Sequence, residues 1–245
     1  MLLSNPSAGK MRRFDPYVNE LIFGKSILIM GSAPSVVKLT PKFMDSFDLI
    51  CRVNNFSFFN ECKRTDIWYT MAGRSIKKTT GDLKTGKCKL AFLKTPFRNI
   101  VTYNRDGSIN KLQSFDSRAH YIKCRKRWFE VPFYLQNVNH WRWLTAQIGQ
   151  IVTTGLSAIV DLYRFNPKSM HVAGFDFFSS RLHNISVPIH LKPWPKHHDF
   201  KTEFLFARKF INTYPNISVD ETIKKLFAEP HKFPKIGTKP DARIR

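Results

Sequence analysis

The chain has 245 residues, with 40 Lys and Arg against 18 Asp and Glu, giving a formal net charge of +22 and a sequence pI near 10.1. A hydrophobic fraction of 42% with 22 phenylalanines excludes a disordered protein and is ample for one large domain or two small ones. The positive field favours nucleic acid, an anionic membrane, or phosphorylated and acidic substrates, without choosing among them.

The opening MLLSNPSAGKMRRF has no apolar run of signal-peptide length, and residues 1–25 read as an N-terminal extension. SILIM (26–30) fits a buried parallel strand ending at Gly31, and is far shorter than the ~18–20 residues of a membrane span. GSAPSV follows as a tight turn. FDLICRV (47–53), DIWYTM (66–71) and KLAFLK (89–94) are three further strand candidates. Basic residues then crowd in, culminating in KCRKR (123–127), and 74–150 reads as a variable, basic region of strand and loop. VNHWRWLTAQIG has a weak helical pattern. TTGLSAIVDLYRFN has a stronger one, with Leu156, Ile159, Val160 and Tyr163 on one stripe. SMHVAGFDFF (169–178) is a strand running into a turn. In PKHHDFKTEFLFARKF, Phe200, Phe204, Ala207 and Ile211 share a face, so a buried helix begins near Asp199, its N-cap. NISV and DETIKKLFAE are a strand and a helix, and 229–245 is a basic, Pro-rich tail.

Four cysteines, Cys51, Cys62, Cys88 and Cys124, form no CxxC and no Cys/His cluster, against a structural zinc site or a disulfide framework. The expectation is a soluble, reduced, cytoplasmic protein.

Strands alternating with helices predict a mostly parallel α/β sheet over 26–228, where ligands bind beyond the carboxyl ends of the strands. Four segments fall there or at helix starts. GSAPS offers the amides around Gly31, Ser32, Ala33 and Ser35 to a phosphate, yet it is neither GxGxxG nor a Walker loop and reads equally as an ordinary turn. CRVNNF places Arg52 and Asn54 at a strand end; the Asn54 amide suits sugar hydroxyls or a plain Asn turn. VTTGLS sets Thr153, Thr154 and Gly155 at a helix start, fit for a carboxylate or phosphate, or for capping alone. Asp176 in GFDFF is a turn cap or an acceptor for a ribose or base. His197 and His198 are solvent-facing loop residues, or one is a base aimed into a pocket.

Taken together and in this order, GSAPSV, FDLICRVNNF, VTTGLSAIVDLYRFNPKSMHVAGFDFF and HHDFKTE resemble the CMP-sialic acid-dependent sialyltransferases. The match is nearest to the small bacterial enzymes of glycosyltransferase family 42 and more distant from the animal-type family 29. It covers 26–57 and 151–212. The resemblance implies a single Rossmann-like sheet with helices on both faces, a GT-A-like variant, plus a small lid or acceptor-side insertion. It implies that Gly31, Ser32, Ala33 and Ser35 line the nucleotide-phosphate turn and that Asn54 contacts the donor, with Thr70 the polar residue at the third strand end. Thr153, Thr154 and Gly155 then hold the donor carboxylate and cytidine, and Asp176 lies on the nucleotide side. His198 followed by Glu203 matches the family's H-x4-[ED] pattern, whose histidine is the general base. Phe178 and Ser179 stand where the bacterial enzymes have phosphate-holding tyrosines, which moves that role to Arg181 or His183. Ile151 replaces an arginine, and the S-like segment has no cysteine. Glu203, five residues from His198, is not a facing helical pair, so it orients His198 only if the histidine sits outside the helix.

The implied function is metal-independent transfer of a keto-acid sugar from a CMP donor to a glycan or glycolipid acceptor, with inversion and no cofactor. Peripheral contact with an anionic membrane would suit the charge. A CMP-Kdo transferase fits the same pocket, and a retaining variant would use Asp176 or Asp199 as nucleophile. Two other classes compete. One is a nucleotide enzyme of pterin pyrophosphokinase type, which would need Mg²⁺ ligands near the turn; Asp45 and Asp48 are close but form no DxD. The other is a polyanion-binding protein using KCRKR with Trp128 and Phe129, although no signature of sequence-specific nucleic-acid reading is present.

Overall fold

The computed structural model describes residues 16–54, 64–71, 87–94, 97–103, 109–116, 131–177 and 198–229, with 97–103 and 109–116 as backbone. Its centre is a seven-stranded parallel sheet. The strands are β1 (Ser26–Met30), β2 (Leu49–Val53), β3 (Ile67–Thr70), β4 (Leu90–Leu93), β7 (Phe133–Leu135), β8 (Ser169–Ala173) and β9 (Ile217–Val219). Their order is β7-β4-β3-β2-β1-β8-β9. Every residue of β2, β3 and β4 is buried, as expected of parallel strands covered on both faces. A separate antiparallel hairpin pairs β5 (Phe97–Tyr103) with β6 (Ile109–Asp116).

One face carries the larger core. Against it pack α1 (Pro16–Ile22), α3 (Val138–Ile148), α4 (Thr154–Tyr163), α5 (Phe200–Thr213) and α6 (Glu221–Ala228). The opposite face is covered by a short 3-10 helix (Pro34–Lys38) and α2 (Pro41–Asp45) over Leu28, Met30, Ile50 and Ala173. The α/β expectation is therefore met, with unequal layers. Val18 and Ile22 of α1, within the stretch read as an extension, join the main core. Likewise β4, β7 and α3 come from 74–150, so that region supplies central architecture as well as the β5–β6 hairpin.

Local chemistry sets the helix ends. Asn137 accepts from the amides of Asn139 and His140 to start α3, and Gly149 ends it in the left-handed region at φ 76°. The stripe of α3 is weak as a pattern because its buried face, His140, Leu144 and Ile148, includes an imidazole. Asp199 caps α5 through the Thr202 amide, as expected, and Asp220 caps α6 through Ile223. No helix of the described residues is long and apolar enough to cross a membrane.

Candidate active site

In the strand order the chain reverses direction between β1 and β8, and the crevice beyond their carboxyl ends is where α/β sheets bind ligands. Two glycines close that junction. The Gly31 amide donates to the Ala173 carbonyl at 2.9 Å, and the Ala33 amide to that of Gly174 at 2.9 Å. A Cβ on Gly31 would stand 2.1 Å from the Gly174 carbonyl oxygen, so only glycine permits this approach. The Phe175 ring lies against both Gly31 and Gly155: an added Cβ would meet its carbons at 3.2 and 2.6 Å respectively. One aromatic ring thus holds the turn after β1, the start of α4 and the end of β8 together. Three separate sequence motifs meet at that ring.

The same contacts occupy part of the hydrogen-bonding capacity of the turn expected to meet a phosphate. The amides of Gly31 and Ala33 serve the sheet junction, and the Ser35 hydroxyl lies 3.2 Å from Asp220 Oδ2. Asp220 also accepts from the Gly174 amide at 2.9 Å, so it buttresses the turn from behind. Ser32 is half-buried. Asn54 follows β2 in the left-handed region, φ 56°, a conformation that asparagine tolerates. Its amide donates to Tyr69 and its carbonyl accepts from the Trp68 indole, both at 2.8 Å. Arg52 is buried, with Nε on the Arg64 carbonyl at 3.2 Å. Thr70 is buried at the end of β3, and Asp176 is buried three residues past β8.

The segment 151–153, between α3 and α4, is gripped at three consecutive residues. The Ile151 carbonyl accepts from His198 Nδ1 at 2.6 Å. The Val152 carbonyl accepts from the Lys94 ammonium. Thr153 donates its amide to Glu203 Oε1 at 2.9 Å and its hydroxyl to Glu203 Oε2 at 2.6 Å. Thr153 Oγ1 also caps α4 through Leu156, at 3.4 Å. The donors of Thr153 are therefore taken by Glu203, and the next helix-start residues are Thr154, which is buried, and Gly155, which is half-buried. A carbonyl only accepts, so His198 Nδ1 carries the hydrogen of this bond, and in the neutral form of the ring Nε2 then holds the lone pair. The His198 side chain is 13% exposed, sits just ahead of α5, and lies 3.6 Å from Glu203.

Three groups escaped the sequence reading. Lys94, one residue past β4, is fully buried, and that burial lowers its ammonium from the ordinary 10.5 to about 8 against the opposing pull of Glu203 and Asp161. Asp161 accepts the Tyr69 hydroxyl, with His140 Nε2 2.8 Å from its other oxygen and off the axis of a linear hydrogen bond. Burial first, then the Asp161 charge, pushes the Tyr69 phenol well up. The available signal was a lone acid among buried apolar residues, Asp161 between Val160 and Leu162. Asp220 carried the ordinary signal of a cap and nothing more. Arg181 and His183 lie outside the described residues, as do His197, Phe178 and Ser179.

No family model and no curated protein matches the chain. Among solved structures, an alpha-2,3-sialyltransferase from Campylobacter jejuni in apo form is similar at 16% identity, covering 92% of this chain and 90% of that one, with a TM-score of 0.54. The sialyltransferase CstII from the same organism, in complex with the substrate analogue CMP-3FNeuAc, is 14% identical over 90% of this chain and 89% of that one, at a TM-score of 0.48. The chain shares the fold of the apo alpha-2,3-sialyltransferase, an α/β fold of the kind its motifs imply.

Proposed function

We propose that the protein is a glycosyltransferase moving a keto-acid sugar of the sialic acid class from a CMP-activated donor to a glycan acceptor, with His198 as general base. The observation that carries this reading is the hydrogen bond from His198 Nδ1 to the Ile151 carbonyl. It turns Nε2, the proton acceptor of the neutral ring, away from the Ile151 carbonyl, on a ring set between the starts of α4 and α5. Motifs in register and a fold shared with an alpha-2,3-sialyltransferase support the substrate class.

The chemistry asks little of a metal. The leaving CMP phosphate carries one negative charge, which hydrogen-bond donors can stabilise. The anomeric carbon gains oxocarbenium character beside the donor's own carboxylate, which Thr154 and Gly155 at the start of α4 would hold. His198 Nε2 removes the proton of the acceptor hydroxyl as it attacks, an effect of about 10²–10⁴-fold. One base and one displacement give inversion. The charge of +22 supports docking at an anionic membrane surface, where glycolipid acceptors reside.

The test is CMP release and transfer from CMP-sialic acid and from CMP-Kdo, separately and without added metal, by wild type and His198→Ala. Wild type is expected to turn over one donor, and His198→Ala to lose about 10²–10⁴-fold while the donor still raises its melting temperature. Near-normal transfer by His198→Ala would remove the base from the mechanism. Turnover of CMP-Kdo alone would reassign the donor, and NMR of the product anomer reads the stereochemistry.

A further inference from the structure

Lys94 is an expensive residue to keep. Its side chain is wholly buried, it forms no ion pair among the described residues, and its one hydrogen bond there is to the Val152 carbonyl. Burying an ammonium without a paired carboxylate is unfavourable, and an apolar residue of similar volume would serve packing better. The place it occupies explains its retention. Lys94 immediately follows β4 at the carboxyl edge of the sheet, and its amide donates to the Thr70 carbonyl at 2.9 Å. From that rigid strand end the ammonium reaches across to the middle residue of the 151–153 segment. The residue before holds His198, and the residue after holds Glu203. Of the three grips on the segment, two come from α5 and its leading residue and only Lys94 comes from the sheet.

We propose that Lys94 is a positioning residue: its ammonium ties the Val152 carbonyl to the end of β4 and thereby fixes the Ile151 carbonyl that orients the His198 ring. The inference rests on the reading of His198 as base, and acts entirely through the backbone of 151–153. Without the tie, the segment keeps its α4 cap, the core packing of Val152 and its contacts to α5 and His198, but the Ile151 carbonyl loses its neighbouring hydrogen-bonded link to the end of β4.

The experiment uses the full chain with Lys94→Met and reads the ¹⁵N shifts of the His198 imidazole beside CMP release. Wild type should show a single Nδ1–H tautomer. The variant should show a mixture with Nε2–H, and its kcat should fall about tenfold or more with KM for the donor changed less than about threefold. If Lys94→Met does not fold, Lys94→Gln, which removes the cation and shortens the reach but leaves a polar amide in the buried site, is read in the same way. A lower melting temperature with an unchanged His198 tautomer and unchanged kcat would mean that Lys94 only stabilises, and the proposal fails. If wild type turns over no CMP donor, the functional reading fails, whereas the tautomer measurement still decides the role of Lys94.

Discussion

Glu203 binds Thr153 rather than His198. Its two carboxylate oxygens take the Thr153 amide and hydroxyl at 2.9 and 2.6 Å, while the imidazole stays 3.6 Å off. His198 and Glu203 are nonetheless linked, because the segment that Glu203 anchors supplies the carbonyl that His198 holds. Removing the carboxylate should strand the half-buried Thr153 amide. Glu203→Ala is expected to destabilise by about 1–3 kcal/mol and to lower kcat, whereas Glu203→Gln, which keeps an acceptor for the amide, should recover most of the stability. Urea unfolding of the three proteins, with CMP release on the folded variants, checks both parts.

Phe175 against Gly155 gives a second test. An alanine Cβ at 155 would press to 2.6 Å from the ring, which can yield, and Gly155→Ala should cost about 1–3 kcal/mol. Adding Phe175→Leu should relieve that clash, so the double variant loses less than the sum of the singles by about 0.5 kcal/mol or more. Gly31→Ala has no such remedy, because its Cβ would lie 2.1 Å from a backbone oxygen. It should lose more stability than Gly155→Ala, and the ranking is read from melting temperatures.

Lys94 predicts an unusual stability profile. Its folded-state value, about 8, lies below the ordinary 10.5, so between those pH values the unfolded chain binds more protons than the native one. Stability therefore rises with pH across that window, and below it the whole unfavourable contribution of the buried charge is present. The gain is on the order of 3 kcal/mol, from 1.36 kcal/mol per unit. Lys94→Met removes the site, so the difference in unfolding free energy between wild type and variant should move in favour of wild type from pH 8 to about 10.5. A difference that stays flat with pH contradicts a buried, titrating ammonium.

Asp220 joins three elements through one carboxylate: it caps α6 through Ile223 and receives the Gly174 amide and the Ser35 hydroxyl. Asp220→Ala should lose a cap worth about 0.5–2 kcal/mol and leave the Gly174 amide unpaired, for a total of roughly 2–4 kcal/mol. Ser35→Ala, which leaves the cap intact, should cost less than about 1.5 kcal/mol. Chemical denaturation orders the two.

Much of the frame was legible beforehand because its signals are local. The runs at 26–30 and 89–94, the stripe at 156–163 and the cap at Asp199 depend on neighbours three or four residues away, and they appear as β1, β4, α4 and α5. The α3 helix was fainter because its inward face includes His140, and the hairpin at 97–116, whose two runs are separated by the turn-forming pair Asp106-Gly107, was masked by the basic residues around it. For the site, the motif residues were legible, but several of their partners were not. The Gly31 and Ala33 amides bind the end of β8, and the Thr153 donors bind Glu203.

The order of hydrophobic runs and the chemistry of each turn and cap determined, without coordinates, that this chain forms alternating strands and helices with polar motifs at the strand ends. Which acceptors the donors of those motifs bind was decided only in three dimensions. An amide or hydroxyl binds the nearest acceptor in space, and for residues 31, 33 and 153 that acceptor comes from residues 173, 174 and 203, far along the chain.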